Sequence, residues 1–414
     1  MNEPANFVTG SEEGCNSNKW NNPPYKPNIL GTLADKTVCP DALQTWGKHY
    51  DVHNLFGYSQ TLQTLPATRN ATGKRSIVIS RSTFPGSGKY SGHWLGDNYS
   101  QWSNLYYSII GCLEFNLFGI PYIGADICGF NGDTNEQLCQ RWMQLGAFYT
   151  YARNHNGLNY MEQDPASLGD EVARVSREVL QIRYTLLPYL YTLFYHANVD
   201  GHTVMRPLFH EFYNDITAYD VDKQFLWGPA FLISPVLDQD AVTVDAYFPD
   251  DRWFDYYTGA EETNGRGTTI TLNAPMDYIP LHVRGGYILP TQEHAVTTTI
   301  SRTNPMGLII ALDNAGEADG DLYWDDGDEA ALLSVRYIAI LKVVFLQNTL
   351  TNTITTNNYS EADSLTWGTL RVLGLTSVSS VTINGSNHGS FSFNSSTKVR
   401  TPTTKFTNQF SETK

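Results

Sequence analysis

Five side chains able to do acid–base or hydrogen-bond chemistry stand out in the first part of this sequence, two of them just past β-branched or apolar runs. Glu3 lies in MNEP, Arg81 follows SIVIS, Asp97 sits in HWLGDN, Asp126 closes GIPYIGAD, and His155 lies in YARNHN. Residues just past the carboxyl ends of parallel strands line the active site of an α/β barrel. Each also has a plainer role: Asp97 and Asp126 as turn or cap residues, Arg81 as an ion-pair partner, His155 as a satisfied interior histidine. Together, with Trp94, Phe130, Trp142 and Tyr151 as aromatic walls, they make a pocket that stacks on and hydrogen-bonds a neutral polyol and can protonate an oxygen. That combination points to sugars.

Other motifs fail on spacing. GSGKYSG resembles a phosphate loop, but position 83 is Thr and Lys89 is followed by Tyr90, so the Walker pattern is broken; Ser91 breaks the dinucleotide pattern. DGDLYWDDGDE has no register with the calcium-loop ligands ahead of a glycine and reads as a solvated turn. Neither a GxSxG elbow nor an HExxH helix is present. The five cysteines, at 15, 39, 112, 128 and 139, form no CxxC pattern, so neither a metal nor another cofactor is expected.

The elements that must position these side chains alternate in type. KRSIVISRSTF and NLFGIPYIGADICGF read as buried strands, and EQLCQRWMQLGAFYTYAR carries apolar residues at helical spacing. Strand followed by helix, repeated, implies parallel βαβ units. A long helix is expected over SLGDEVARVSREVLQIRYTLLPYLYTLFYHAN, with Ser167 as N-cap, Gly201 past its end and Pro188 kinking or splitting it. Beyond VMRPLF the pattern becomes short strands with turns every few residues, in two successive strand-rich stretches. The fold expected is α/β: part of a barrel over residues 1–206, then β-sandwiches over 207–295 and 296–414.

With 41% hydrophobic and 17% charged residues, the 414-residue chain has material for a large core. Its formal net charge of -15 argues against nucleic acid as a partner. YIAILKVVFL is too short to span a membrane and carries Lys342, so no membrane segment is expected. N-glycosylation sequons stand at Asn70, Asn98, Asn358, Asn384 and Asn394, three of them in the strand-rich tail, which leans toward the secretory pathway.

At RSTFPGSGKYSGHWLGDN, followed by GADICGF, RWMQLGAFY, RNHN and RYTLLPYLYTLF, the chain resembles glycoside hydrolase family 31, over residues 1 to about 345 and in order. The resemblance implies the C-terminal half of a (β/α)8 barrel and a retaining mechanism that releases α-glucose from the nonreducing ends of α-glucosides. A small oligosaccharide such as maltose or isomaltose would then be the partner. Matched residue by residue, Asp97 is the general acid/base. Arg81, Trp94 and His155 surround the nonreducing glucose, and Asp126 and Phe130 form the wall of that pocket. Met1 and Glu3 belong to the W-x-D-M-N-E motif, whose aspartate, the nucleophile, stands immediately before Met1. The resemblance therefore expects a chain without its nucleophile, whose missing N-terminal half would be its partner. Glu3 and Asp126 are not expected to substitute, because attack needs a carboxylate within about 3–3.5 Å of the anomeric carbon. The same resemblance pairs Cys15 with Cys39 and Cys128 with Cys139, leaves Cys112 free, and implies an extracellular or lumenal site, tethered to a membrane only through upstream sequence. A catalytically inactive fragment or a carbohydrate-binding remnant is the alternative reading.

Overall fold

β-Branched residues open the segment that matters most: Ile77, Val78 and Ile79 lead into a two-residue strand, β1 (Ile79–Ser80), which pairs in parallel with β2 (Gly92–Trp94). β2 in turn pairs in parallel with β3 (Ile123–Gly124), and Ala125 joins β3 to β4 (Asp126–Ile127), which pairs in parallel with β5 (Arg153–Asn154). This is a computed structural model, and it describes residues 3–328, 338–389, 391–394, 399–402 and 406–409; Met1 lies outside them. These three parallel pairings have helices among them: α1 (Phe56–Thr72) ahead of β1, α2 (Trp102–Leu117) between β2 and β3, and α3 (Glu136–Gly146) between β4 and β5. Parallel neighbours with intervening helices are the barrel's repeating unit.

The strands are shorter than the apolar runs that announce them, and neighbouring backbones come close. A Cβ on Gly124 would lie 1.9 Å from the carbonyl oxygen of Tyr151, so only glycine lets β3 pass that backbone. α3 starts where its sequence says it should: the Asn135 side chain accepts from the Leu138 amide at 3.0 Å, and every residue from Leu138 to Gly146 is buried. In the long helical stretch Pro188 acts as expected. α4 (Asp170–Thr185) ends, and α5 (Leu187–Val199) begins with the proline in its first turn, where a missing N–H costs nothing. Ser167 is not the N-cap. Its hydroxyl donates back to the carbonyls of Glu162 and Asp164 inside a 3-10 turn over Pro165–Leu168, and Gly169 stands at the cap.

Beyond α5 the chain is strands. A five-stranded sheet runs in the order Trp253–Asp255, Leu281–Arg284, Phe231–Ile233, Phe225–Trp227, Met205–Arg206, with the antiparallel pair Thr243–Phe248 and Thr268–Asn273 beside it. A second, larger sheet includes Tyr287–Gln292, Met306–Ala311, Ala318–Asp325 and Thr366–Leu373. Met306–Ala311 is buried along its whole length because both faces are covered. Leu308 and Ile310 enter the core of the larger sheet, while Ile309 and Ala311 join Leu289, Trp142, Phe148, Trp227 and Phe231 in the core that continues under the barrel strands. The barrel part and the sheets thus share one apolar core, and Trp227 donates from its indole to the Phe148 carbonyl at 2.7 Å across it.

Two expectations change here. Trp142 is fully buried in that core, donating to the Tyr149 hydroxyl at 3.1 Å, and lines no pocket. The acidic stretch from Asp319 is not a solvated turn but mostly the strand Ala318–Asp325. Its last carboxylate, Asp325, is buried and accepts from Arg75 at 2.7 Å, Tyr191 at 2.7 Å and Tyr323 at 2.9 Å. The strand's Leu322, Tyr323 and Trp324 are what the acidic count concealed.

Candidate active site

At the carboxyl ends of the parallel strands the charged residues meet. Arg81, just past β1, donates from Nε to Glu3 at 2.6 Å and lies 3.1 Å through Nη1 from Asp97, in the loop after β2. One guanidinium therefore holds two carboxylates that are 94 residues apart in the chain (97 − 3). Its pKa is raised, first by the hydrogen bond to Glu3 and against partial burial. Asp97 is the most open of the three, with its side chain 40% exposed against 24% for Glu3. It faces solvent at the mouth.

Asp126, at the start of β4, is 1% exposed. Arg153 of β5 donates to its Oδ1 from both Nε, at 3.1 Å, and Nη2, while Oδ2 is buried without a hydrogen-bond partner among the described residues. Burial pushes the Asp126 carboxyl above the usual range; the Arg153 guanidinium and His155 pull it back, and Asp97 adds a smaller push upward. The Arg81 and Arg153 guanidiniums lie 5.9 and 5.3 Å from the Trp94 ring, whose buried indole N–H also lacks a partner among the described residues. His155 is exposed and packs its ring 5.3 Å from that of Phe130.

The loops that carry these groups are knitted together. Asn98 donates from Nδ2 to the Asp126 carbonyl at 3.0 Å and accepts from the Phe130 amide at 2.9 Å through Oδ1. Asn131 donates to the Asp97 carbonyl at 3.1 Å, and Ser100 to the carbonyl of Cys128 at 2.9 Å. A Cβ on Gly129 would fall 2.4 Å from the Ser100 nitrogen, so this contact needs glycine as well. The Cys128–Cys139 disulfide ties the loop to α3, and Cys15–Cys39 closes the segment after Glu3; Cys112 is free and buried. The pairing is the one the resemblance implies.

The result is a site with donors (Arg81, Arg153, His155, the Trp94 N–H), a buried acceptor with a lone pair to spare (Asp126 Oδ2), aromatic walls and one open carboxyl group. Such a set matches a polyhydroxylated ring, whose hydroxyls both donate and accept. Two functional residues were missed in the sequence. Arg153 stands two residues before His155, and period-2 alternation along a strand, which puts both on one face, would have found it. Asn98 carried only the signal of a sequon. A separate cavity of about 870 Å³, lined by Ser91, Tyr122, Arg183, Tyr191 and Trp324, opens at the amino ends of the strands and holds none of these groups. Its size does not make it the site; the convergent charged groups are at the other end.

With the geometry in hand, comparison with known proteins gives a class. Residues 1–193 match the glycosyl hydrolases family 31 TIM-barrel domain and residues 201–289 the glycosyl hydrolase family 31 C-terminal domain, and the chain belongs to that family. Among relatives, it is 49% identical over 409 residues to intestinal sucrase-isomaltase of Homo sapiens, covering 96% of this chain and 22% of that protein. It is 45% identical over 415 residues to lysosomal alpha-glucosidase of Bos taurus, covering 96% and 44%. The crystal structure of an alpha3-Glc2-bound glucosidase II alpha subunit superposes with a TM-score of 0.85 at 27% identity, over 92% of this chain and 44% of that one. The chain thus spans less than half the length of these relatives.

Proposed function

We propose that this chain carries the acid/base half of the active site of a retaining α-glucosidase, acting on the nonreducing end of neutral α-linked gluco-oligosaccharides. The observation that carries the reading is Asp97. It is an open carboxyl at the end of a parallel strand, held at 3.1 Å by Arg81 beside a pocket of hydroxyl-binding groups, where protonation of a leaving oxygen and later deprotonation of water would occur. The attacking carboxylate would be the aspartate that precedes M-N-E in the family motif. Glu3 is already engaged by Arg81, which speaks against its attacking in that residue's place.

Two disulfides fit an oxidising compartment, and the intestinal and lysosomal relatives support an extracellular or lumenal location. No helix among the described residues is long and apolar enough to cross a membrane.

The test is Asp97→Ala in the active enzyme. Loss of acid assistance should lower kcat/KM by about 10²–10⁴ on maltose, and much less on an aryl α-glucoside whose leaving group needs no proton. Added azide should rescue the variant and yield α-glucosyl azide. Equal losses on both substrates with no rescue would remove Asp97 from the acid/base role.

A further inference from the structure

We propose that the C-terminal end of α5 and the turn after it form a zinc site made of His196, Asp200 and His202, with Asp321 of the facing strand as the carboxylate that orients His196. One ligand atom from each of the first three lies within 4.8 Å of the others. His196 Nδ1 stands 2.9 Å from an Asp200 oxygen, and its Nε2 stands 2.7 Å from Asp321 Oδ2. The two imidazoles lie nearly parallel, at 25°, with centroids 5.8 Å apart.

A metal-bound histidine usually donates its second ring N–H to a carboxylate, which fixes the tautomer and aims the first nitrogen. His196 has that arrangement: Asp321 accepts from Nε2, leaving Nδ1 directed at Asp200 and the His202 side. Zinc sits about 2.0–2.2 Å from nitrogen and oxygen ligands in tetrahedral order, which sets the ligand atoms about 3.3 Å apart, so the His196–Asp200 pair must open slightly from 2.9 Å while His202 swings in. Asp200 and His202 are exposed and free to make that adjustment by side-chain rotation. Two imidazoles with one carboxylate suit zinc over magnesium or calcium, which prefer oxygen alone. The fourth position would be water. Gly201, at φ +73°, makes the turn that brings His202 back toward the helix end. The ion would sit where His196 already joins α5 to the strand Ala318–Asp325 through Asp321, far in sequence from Asp97.

The experiment is calorimetric titration of the chelator-treated chain with zinc chloride, together with zinc-edge X-ray absorption. One zinc per chain with two imidazole ligands is expected. His202→Ala and Asp200→Asn should each weaken binding at least tenfold, Asp321→Asn by about 10–100-fold, and His210→Ala not at all. Both ligand positions are exposed, and near-UV circular dichroism identifies any variant that misfolds. Absence of stoichiometric zinc, or equal binding by His202→Ala and His210→Ala, would overturn the site and leave a histidine held between two carboxylates.

Discussion

Arg153 meets Asp126 through one carboxylate oxygen: both its Nε, at 3.1 Å, and its Nη2 reach Oδ1, and Oδ2 is buried without a hydrogen-bond partner among the described residues. The guanidinium keeps a 1%-exposed aspartate in a state from which its second oxygen can accept a substrate hydroxyl. It does so while lying 5.3 Å from the Trp94 ring and 5.7 Å from that of Tyr151, so its own position is fixed by aromatic surfaces.

Arg153→Gln should therefore act on binding and on pH dependence together. The change removes the Arg153 guanidinium, the stronger of the two groups that pull the Asp126 carboxyl down, while leaving the burial that pushes it up, so that carboxyl titrates still higher. The acid limb of kcat/KM should move to higher pH, with KM raised more than kcat is lowered, and Arg153→Lys should restore part of the loss. The variant also leaves a buried charge without its partner, a loss of about 3–5 kcal/mol in fully buried cases and smaller here, since the Arg153 side chain is 30% exposed. A purely structural role would show the stability loss with the acid limb unmoved.

Asn98 heads the sequon Asn98-Tyr99-Ser100, yet both ends of its amide are spent on Asp126 and Phe130. A glycan on Nδ2 would occupy the space between Asp97 and Asp126. Glycopeptide mapping of protein made in secretory cells should find Asn98 unoccupied and the exposed Asn70 available. Asn98→Asp should lower activity at least tenfold and cost about 1–2 kcal/mol, since it deletes a donor to a carbonyl and adds a like charge beside two carboxylates. A glycan at Asn98 on active enzyme would contradict this arrangement.

Two strand ends were legible because apolar or β-branched runs followed by a charged residue leave few other readings: Ile79 and Ile123 lead to Arg81 and Asp126. The strand Gly92–Trp94 ahead of Asp97 has no such run and was not legible in the sequence. The split of the long helix was legible for the same kind of local reason, the missing N–H of Pro188. What failed depended on contacts far away in sequence. Trp142 is amphipathic on paper, and only the arrival of the distal sheets decides that it is core. Asp325 looked solvated among five other acidic residues until Arg75, 250 residues earlier, and Tyr191 were brought against it. Ser167 is a good cap by type, but Asp164 and Pro165 start a tighter turn first. The His196, Asp200 and His202 group lies within seven residues of sequence, but only the αL turn at Gly201 shows that His202 folds back toward the helix end.

Stability should fall as the medium is acidified below about pH 6.5. His93, in β2, is buried with its ring stacked 3.8 Å from Phe115 and Nδ1 3.1 Å from the Thr83 hydroxyl, and burial lowers its pKa from 6.5 to about 4. His282, buried in the five-stranded sheet, is likewise held at about 4 by burial. For a base whose folded pKa is depressed, the unfolded chain binds protons first. Its contribution is therefore whole above 6.5 and is lost progressively as pH drops toward 4. For His93 alone the loss by pH 4 is on the order of 3 kcal/mol. Asp325, whose carboxyl is held low by its hydrogen bonds and Arg75 in spite of burial, acts in the same direction as it protonates; Asp126, raised by burial, opposes them in part. Urea midpoints measured from pH 7 to pH 4 should decline steadily. His93→Gln should be less stable at pH 7 but flatten that decline, and a midpoint indifferent to pH in the parent chain would show that these histidines take up protons alike in the folded and unfolded chains.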